Sequence, residues 1–353
     1  MSQAPSAANP PTKFLRTIGF TQLGPLTWVL ISALFPVLLE VIFPGLALTE
    51  RLRPILIFVI LGFGLNVVTG CCGLLNLGVA AFMAIGAYTY GILTVSVYPF
   101  QIGFWGGLLA SLFTGALTGF LLGLPTLRLR GDYLAIVTLG FGEIVQDVLR
   151  NLEGITKGSQ GLNPLPHFSL LGLNVGSDNP SGSYLLLLAL VALIALGLKN
   201  LERSPVGRAW TAVRDDELAA SCMGVPVVRT KLLAFAFGAA LCSLSGALWA
   251  SFLGSTGEPG NYDFQLSVVA LCIVIVGGLG SIAGVILGAF IMVGFNSILL
   301  VELSEKLGAL GYSGTENVFA APSNWKFLVL GLALIVMMRL RPHGLLPHHG
   351  AKR

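Results

Sequence analysis

Uncharged apolar stretches recur along this chain. Among them, 54-PILIFVILGFGLNVV-68, 102-IGFWGGLLASLFTGALTGFLLG-123 and 183-SYLLLLALVALIALGL-198 approach or reach the roughly 20 residues that carry a helix across hydrocarbon. In that solvent every backbone N–H and C=O must be paired inside the segment, which a helix does by itself. Only 10% of the residues are charged and 55% are hydrophobic, against about 25% charged in soluble domains. The chain is therefore an integral membrane protein, and the number of apolar runs excludes a single-pass anchor.

The runs give ten candidate spans, at 26–43, 54–69, 75–97, 102–124, 132–149, 183–198, 231–253, 263–277, 283–300 and 325–338, the fifth and eighth being the least apolar in pattern. The expected fold is an all-α polytopic membrane protein of about 8 to 10 transmembrane helices, with glycine-rich broken helices and one short cytoplasmic helix. Residues 1–25, polar and rich in Pro, Ala and Ser, read as a cytoplasmic tail, 26–340 as the transmembrane part and 341–353 as a second cytoplasmic tail.

Basic loops set the orientation. The segments 125-PTLRLRG-131 and 199-KNLERSPVGR-208, and the C-terminal tail, belong inside by the excess of Lys and Arg on cytoplasmic loops. Loops 254-GSTGEPGNYD-263 and 301-VELSEKLGALGYSGTEN-317, poor in basic residues, fit the outside, as does the long Gly-, Asn-, Ser- and Pro-rich loop 150–182, which reads equally as a lid, a docking surface or a solvated connector. Ten spans put both termini in the cytoplasm. One segment disagrees: 50-ERLR-53 would lie outside and yet is basic.

Glycine interrupts the helical pattern twice, in 62-GFGLNVVTGCCGLLNLG-78 and 277-GGLGSIAGVILG-288. Their places in the two halves suggest a weak internal repeat of the kind that supplies discontinuous helices along a transport path. The alternative is close helix packing through small residues, as in the spacing Gly280, Gly284, Gly288. Packing is favoured for the second segment. The path is favoured for the first, where Asn66 and Asn76 add polar groups.

Charge concentrates in one loop. Between Lys199 and Lys231 lie six basic and four acidic residues out of 36 charges in the chain. Ser204-Pro205 forms a helix start and Gly224 with Pro226 a stop, so a single cytoplasmic helix of about four or five turns is expected. Trp210, Val213 and Ala220 would share one side, with Arg208, Asp215 and Asp216 facing elsewhere. The anionic inner leaflet would repel the run Asp215, Asp216, Glu217; a protein partner accounts better for the mixed charge.

That arrangement resembles the coupling loop by which permeases of ATP-binding-cassette transporters contact their ATPase subunits. The family's loop has Glu-Ala-Ala followed by three residues and a glycine; 218-LAASCMG-224 keeps Ala219, Ala220 and Gly224 but has Leu218 in the Glu position, with Glu217 one place early. Along most of its length the chain resembles the LivM-type permeases of branched-chain amino acid uptake, at 61-LGFGLNVVTGCCGLLNLGVAAFMAIGAY-88, 127-LRLRGDYLAIVTLGFGEI-144, 204-SPVGRAWTAVRDDELAASCMGV-225 and 277-GGLGSIAGVILGA-289. The resemblance implies a bacterial inner-membrane assembly. This subunit would pair with a second, LivH-type permease above two cytoplasmic ATPase subunits carrying ATP and Mg, and a periplasmic binding protein would deliver substrate. It also implies that Arg208, Trp210, Arg214, Asp215, Asp216, Glu217, Ala219, Ala220 and Gly224 make the ATPase-coupling element. The chain has no G-x-x-x-x-G-K-[ST] loop to cradle phosphates, so ATP hydrolysis would belong to another chain, and no cofactor is expected in this one.

Glu143 falls about 16 Å along a helix from Asp132, near mid-membrane, where a charge costs about 3 kcal/mol. It shares a face with Gly140, Asp147 and Arg150, and that face should meet protein or water. It is either a buried group bonded to a neighbouring helix or a substrate contact. An amino acid zwitterion needs both donors and acceptors, which broken helix ends can supply; the candidate path residues are Asn66, Thr69, Gly70, Asn76 and Gly78, with Thr138 and Glu143 opposite. The five cysteines form no disulfide or metal framework, and the small net charge of +4 follows from topology and not from nucleic-acid binding. An intramembrane hydrolase is excluded, since all four histidines lie outside the spans. A urea-type permease of the same class and a stand-alone channel or secondary transporter remain as alternatives, although the latter would not need the charged loop.

Overall fold

The computed structural model describes residues 48–126, 132–170, 173–174, 180–295, 297, 326–341 and 344–346. The first candidate span (26–43), the tail 1–25, the arginines at 128 and 130, and the loop 301–317 lie outside the described residues. Within them the protein is an all-α polytopic membrane protein. Its helices are α1 (Leu48–Leu65), α2 (Val79–Thr94), α3 (Phe104–Thr126), α4 (Asp132–Asn151), α5 (Pro180–Arg203), α6 (Pro205–Asp215), α7 (Glu217–Cys222), α8 (Val227–Leu253), α9 (Phe264–Gly277), α10 (Ile282–Gly294) and α11 (Lys326–Leu340). A single antiparallel pair of two-residue strands, Ser169–Leu170 with Leu173–Asn174, interrupts the helices.

Five of these segments are long and apolar enough to cross a membrane: Thr49–Cys71, Phe104–Thr126, Ser181–Arg203, Val227–Leu253 and Pro259–Gly277. Val79–Thr94, Ile282–Gly294 and Gly331–Leu340 are shorter apolar helices. The expected fifth span does fold as α4, but Glu143, Gln146, Asp147 and Arg150 keep it out of the apolar set.

The centre of the structure is α8, which packs against α1, α2 and α3. Small residues allow this. A Cβ at Gly246 of α8 would run into the Met83 carbonyl of α2, and one at Gly86 would run into the Ser243 carbonyl of α8. Because lipid tails are as apolar as Leu, such close backbone contact and interhelical hydrogen bonds hold the helices together; one such bond runs from the Ser243 hydroxyl to the Ser111 carbonyl at 2.7 Å.

Segment 50-ERLR-53 is not a loop. It lies within α1, where Arg53 is only 7% exposed, donates to the Ser183 hydroxyl at 3.2 Å, lies 3.4 Å from the Glu50 carboxylate and sits 5.0 Å from the centre of the Phe252 ring. A buried, paired guanidinium does not count in a loop-charge comparison, whereas Arg51 beside it stays partly exposed.

The long loop after α4 is packed rather than simply solvated. Leu162, Leu165 and Phe168 are buried. The Leu162 and Thr256 backbones bond to each other, with the Thr256 hydroxyl accepting from Leu162 N at 2.8 Å. Tyr90 and Tyr98 donate to the carbonyls of Pro166 and Ile155 at 2.8 and 2.7 Å.

Packing is also what the second glycine-rich segment does in its helical part. Gly277 on α9 and Gly284 on α10 each face the other's carbonyl with no room for a Cβ, and Gly288 does the same against Ile273. Gly280 differs: it stands outside α10, in the turn Gly278–Gly280, with φ +81.

Candidate coupling site and substrate path

The charged loop forms two helices, not the single helix its spacing suggests. Ser204 caps α6, accepting from Gly207 N at 3.3 Å, with Pro205 at the first helical position. The helix stops at Asp216, whose backbone is extended (φ −156, ψ 110) and whose carboxylate accepts from the amides of Leu218 and Ala219 at 2.9 and 3.0 Å. An Asp side chain competes with the backbone for local amides and so starts a new helix where hydrophobic spacing alone would continue the old one. Gly224, at φ +84, ends α7 as expected, with Val225 N bonding back to the Ala220 carbonyl at 3.1 Å.

Trp210, Val213 and Ala220 are buried on one side, as their spacing predicts. The Trp210 indole donates to the Thr230 carbonyl of α8 at 2.9 Å, and its ring leans on Phe237. The charged residues divide. Arg208, exposed, donates to the Arg203 carbonyl at the end of α5 at 2.8 Å. Asp215 stays exposed. Glu217 turns back onto Lys231 at 2.9 Å, and Arg214 reaches the Gly70 carbonyl at 2.6 Å. The tip of α7 instead exposes large apolar side chains: Leu218 is 75% exposed and Met223, just past the helix, 85%, beside exposed Ala219, Ser221 and Cys222. Sequence reasoning centred on charge missed this tip, although Leu218 was the one residue that departed from the coupling-loop pattern.

The expected path residues fall into two clusters. In the first, α1 continues into a π-helical turn, Asn66–Cys71, a form found mostly at functional positions. Asn66 is buried and its side-chain oxygen accepts from Gly280 N at 2.8 Å; a Cβ at Gly70 would stand 2.5 Å from the same Gly280 nitrogen. The two glycine-rich breaks therefore meet. Thr69 spends its hydroxyl locally, on the Leu74 carbonyl at 3.1 Å.

In the second cluster, Asn76 accepts from Gly78 N at 2.9 Å and Thr138 accepts from Leu77 N at 3.0 Å, so the irregular 74–78 segment is pinned to α4. Glu143 lies apart from Thr138. It is exposed, beside a small crevice lined by Leu77, Tyr262, Asp263 and Ser267. Among the described residues it makes no hydrogen bond or ion pair. Around it, Tyr133, Ile136 and Ile144 are exposed, and Gly140 and Gly142 face open space. This face of α4 is large, mostly apolar and uncovered by the described residues, with a carboxylate at its middle.

Residues 48–338 match the family described as branched-chain amino acid transport system / permease component. The chain is 39% identical over 313 residues to the high-affinity branched-chain amino acid transport system permease protein LivM of Salmonella typhimurium, covering 83% of this chain and 68% of that protein, and equally to LivM of Escherichia coli. A more distant relative is the autoinducer 2 import system permease protein LsrC of an Enterobacter species, 26% identical over 290 residues, 81% of this chain and 75% of that one. No solved structure matches. Together with the membrane-length apolar helices, these matches mean that the chain belongs to the branched-chain amino acid transport system permease family.

Proposed function

We propose that this chain is one permease subunit of an ATP-driven importer of branched-chain or related neutral amino acids, working in a bacterial inner membrane with both termini in the cytoplasm. It is a transport subunit and not an enzyme. ATP and Mg act on two partner ATPase subunits, a periplasmic binding protein delivers substrate, and a second, LivH-type permease completes the channel.

The observation that carries this reading is the α6–α7 pair. Its inner side is anchored by Trp210 and by the Glu217–Lys231 ion pair, while its tip leaves Leu218 and Met223 exposed. A stand-alone channel has no use for a rigidly braced apolar knob outside the membrane; a partner with a matching groove does. The exposed face of α4 supports the rest of the reading. Helix surface carrying Glu143 at mid-membrane has to meet protein or water, and a second permease across a central path supplies both.

The test is reconstitution in liposomes with the partner permease, ATPases and binding protein, measuring leucine and urea flux. ATP-dependent leucine uptake that needs every component is expected. Flux through the chain alone would overturn the importer reading, and ATP-driven urea uptake without leucine uptake would change the substrate.

A further inference from the structure

Three segments far apart in sequence converge at one point: the π-helical turn Asn66–Cys71, the turn Gly278–Gly280 between α9 and α10, and the last turn of α6. Arg214 is exposed yet contacts the other two segments closely. Arg214 donates from Nη1 to the Gly70 carbonyl at 2.6 Å. Its aliphatic stem crosses Gly73, where a Cβ would lie 3.0 Å from the Arg214 Cγ. A Cβ at Gly280 would lie 3.1 Å from the same Nη1, and Gly280 N is itself held by Asn66 at 2.8 Å.

We infer that Arg214 is the strut through which movement of the docked cytoplasmic helices reaches both discontinuous segments of the membrane part. This rests on the importer reading above. Trp210 and the Glu217–Lys231 pair join α6, α7 and the start of α8 into one body. Arg214 is the charged link from that body to the π-helical turn. It is placed where a cation binds well, on a carbonyl at the C-terminal end of a helix, at the negative end of the dipole. The carbonyl it holds sits one turn from Asn66, so a displaced guanidinium pulls on the Gly280 turn as well. Beside the node is a small crevice lined by Asn66, Cys71, Leu201, Glu202, Trp210 and Ile282. Packed elements with two discrete arrangements are what carry such coupling. Arg214 is thus a positioning residue that need never touch substrate or ATP.

The experiment compares wild type, Arg214→Met, Arg214→Lys and Asn66→Ala in the complete reconstituted importer, reading subunit co-purification, ATP hydrolysis and leucine uptake. Met keeps the stem over Gly73 but loses the donor; Lys keeps a charged donor that can reach Gly70. The expected result for Arg214→Met is a loss of about tenfold in leucine taken up per ATP hydrolysed, with the subunits still assembled. Arg214→Lys should restore most of that ratio. Adding Asn66→Ala to Arg214→Met should cost little more than either change alone, since both cut the same linkage. An unchanged ratio in Arg214→Met overturns the strut, as does a parallel fall in assembly, hydrolysis and uptake that Lys does not rescue, which is the behaviour of a structural cap. Failure of the importer reading is separate, because it shows as absent ATP-driven leucine uptake in the wild-type complex.

Discussion

The Lys231 ammonium and the Glu217 carboxylate stand 2.9 Å apart at the junction of α7 and α8, with Lys231 only 4% exposed and Glu217 more open to solvent. Glu217 comes from the acidic run that looked like a docking surface, yet it neutralises a buried charge of its own chain. Removing one member of a buried pair costs about 3–5 kcal/mol, whereas replacing both with apolar groups can be nearly neutral. Glu217→Leu alone should therefore lower the thermal stability of the purified protein in detergent more than the double change Glu217→Leu with Lys231→Met. A double variant less stable than the single one would show that the pair does not brace α6 and α7.

At the tip of α7, truncating Leu218 and Met223 to Ala should weaken ATPase association about tenfold or more, since burying such a side chain contributes about 1.5–3 kcal/mol. Asp215→Ala, in exposed charge nearby, should have a smaller effect. Titration of the ATPase onto permease in nanodiscs gives the comparison, and equal affinities across the variants would remove the apolar tip from the interface.

Asp216 should act through helix geometry rather than through charge. Asp216→Ala removes the cap of α7, a loss of about 0.5–2 kcal/mol, while Asp216→Asn keeps an accepting oxygen. ATPase affinity should fall for Ala and be largely retained for Asn. The opposite order would mean that the carboxylate charge itself meets the partner.

On α4, Glu143→Leu at matched expression should impair leucine uptake while leaving ATPase association intact, because Glu143 lies on the exposed face of α4 and makes no hydrogen bond or ion pair to α6–α7. Wild-type transport in this variant would show that the carboxylate has no part in the path.

Much of this was legible from residue order. Apolar run length gave the membrane-length helices, Ser204-Pro205 and Gly224 gave the ends of the charged element, and the two glycine-rich segments marked the breaks that meet at Asn66 and Gly280. The illegible parts share a cause. Asp216 could equally be a charge facing a partner or a cap, and only the backbone at that residue decides between them. Arg53 reads as a loop charge until α1 is seen to begin before it, and Arg214 as a docking charge until tertiary packing brings Gly70 within its reach. Local sequence constrains a side chain's chemistry but not the distant carbonyl it finds.

Cys222 supplies the most direct test that α6–α7 is a cytoplasmic ATPase dock. Of the five cysteines it alone is exposed, on the same short helix as Leu218, whereas Cys72, Cys242 and Cys272 are buried and Cys71 half-buried. A membrane-impermeant maleimide, read out by mass spectrometry of the Cys222 peptide, should label inside-out vesicles and leave intact right-side-out cells unlabelled. Purified ATPase bound to the vesicles should protect the thiol. Labelling from the outer face, or labelling at the same rate with ATPase bound, would contradict the account.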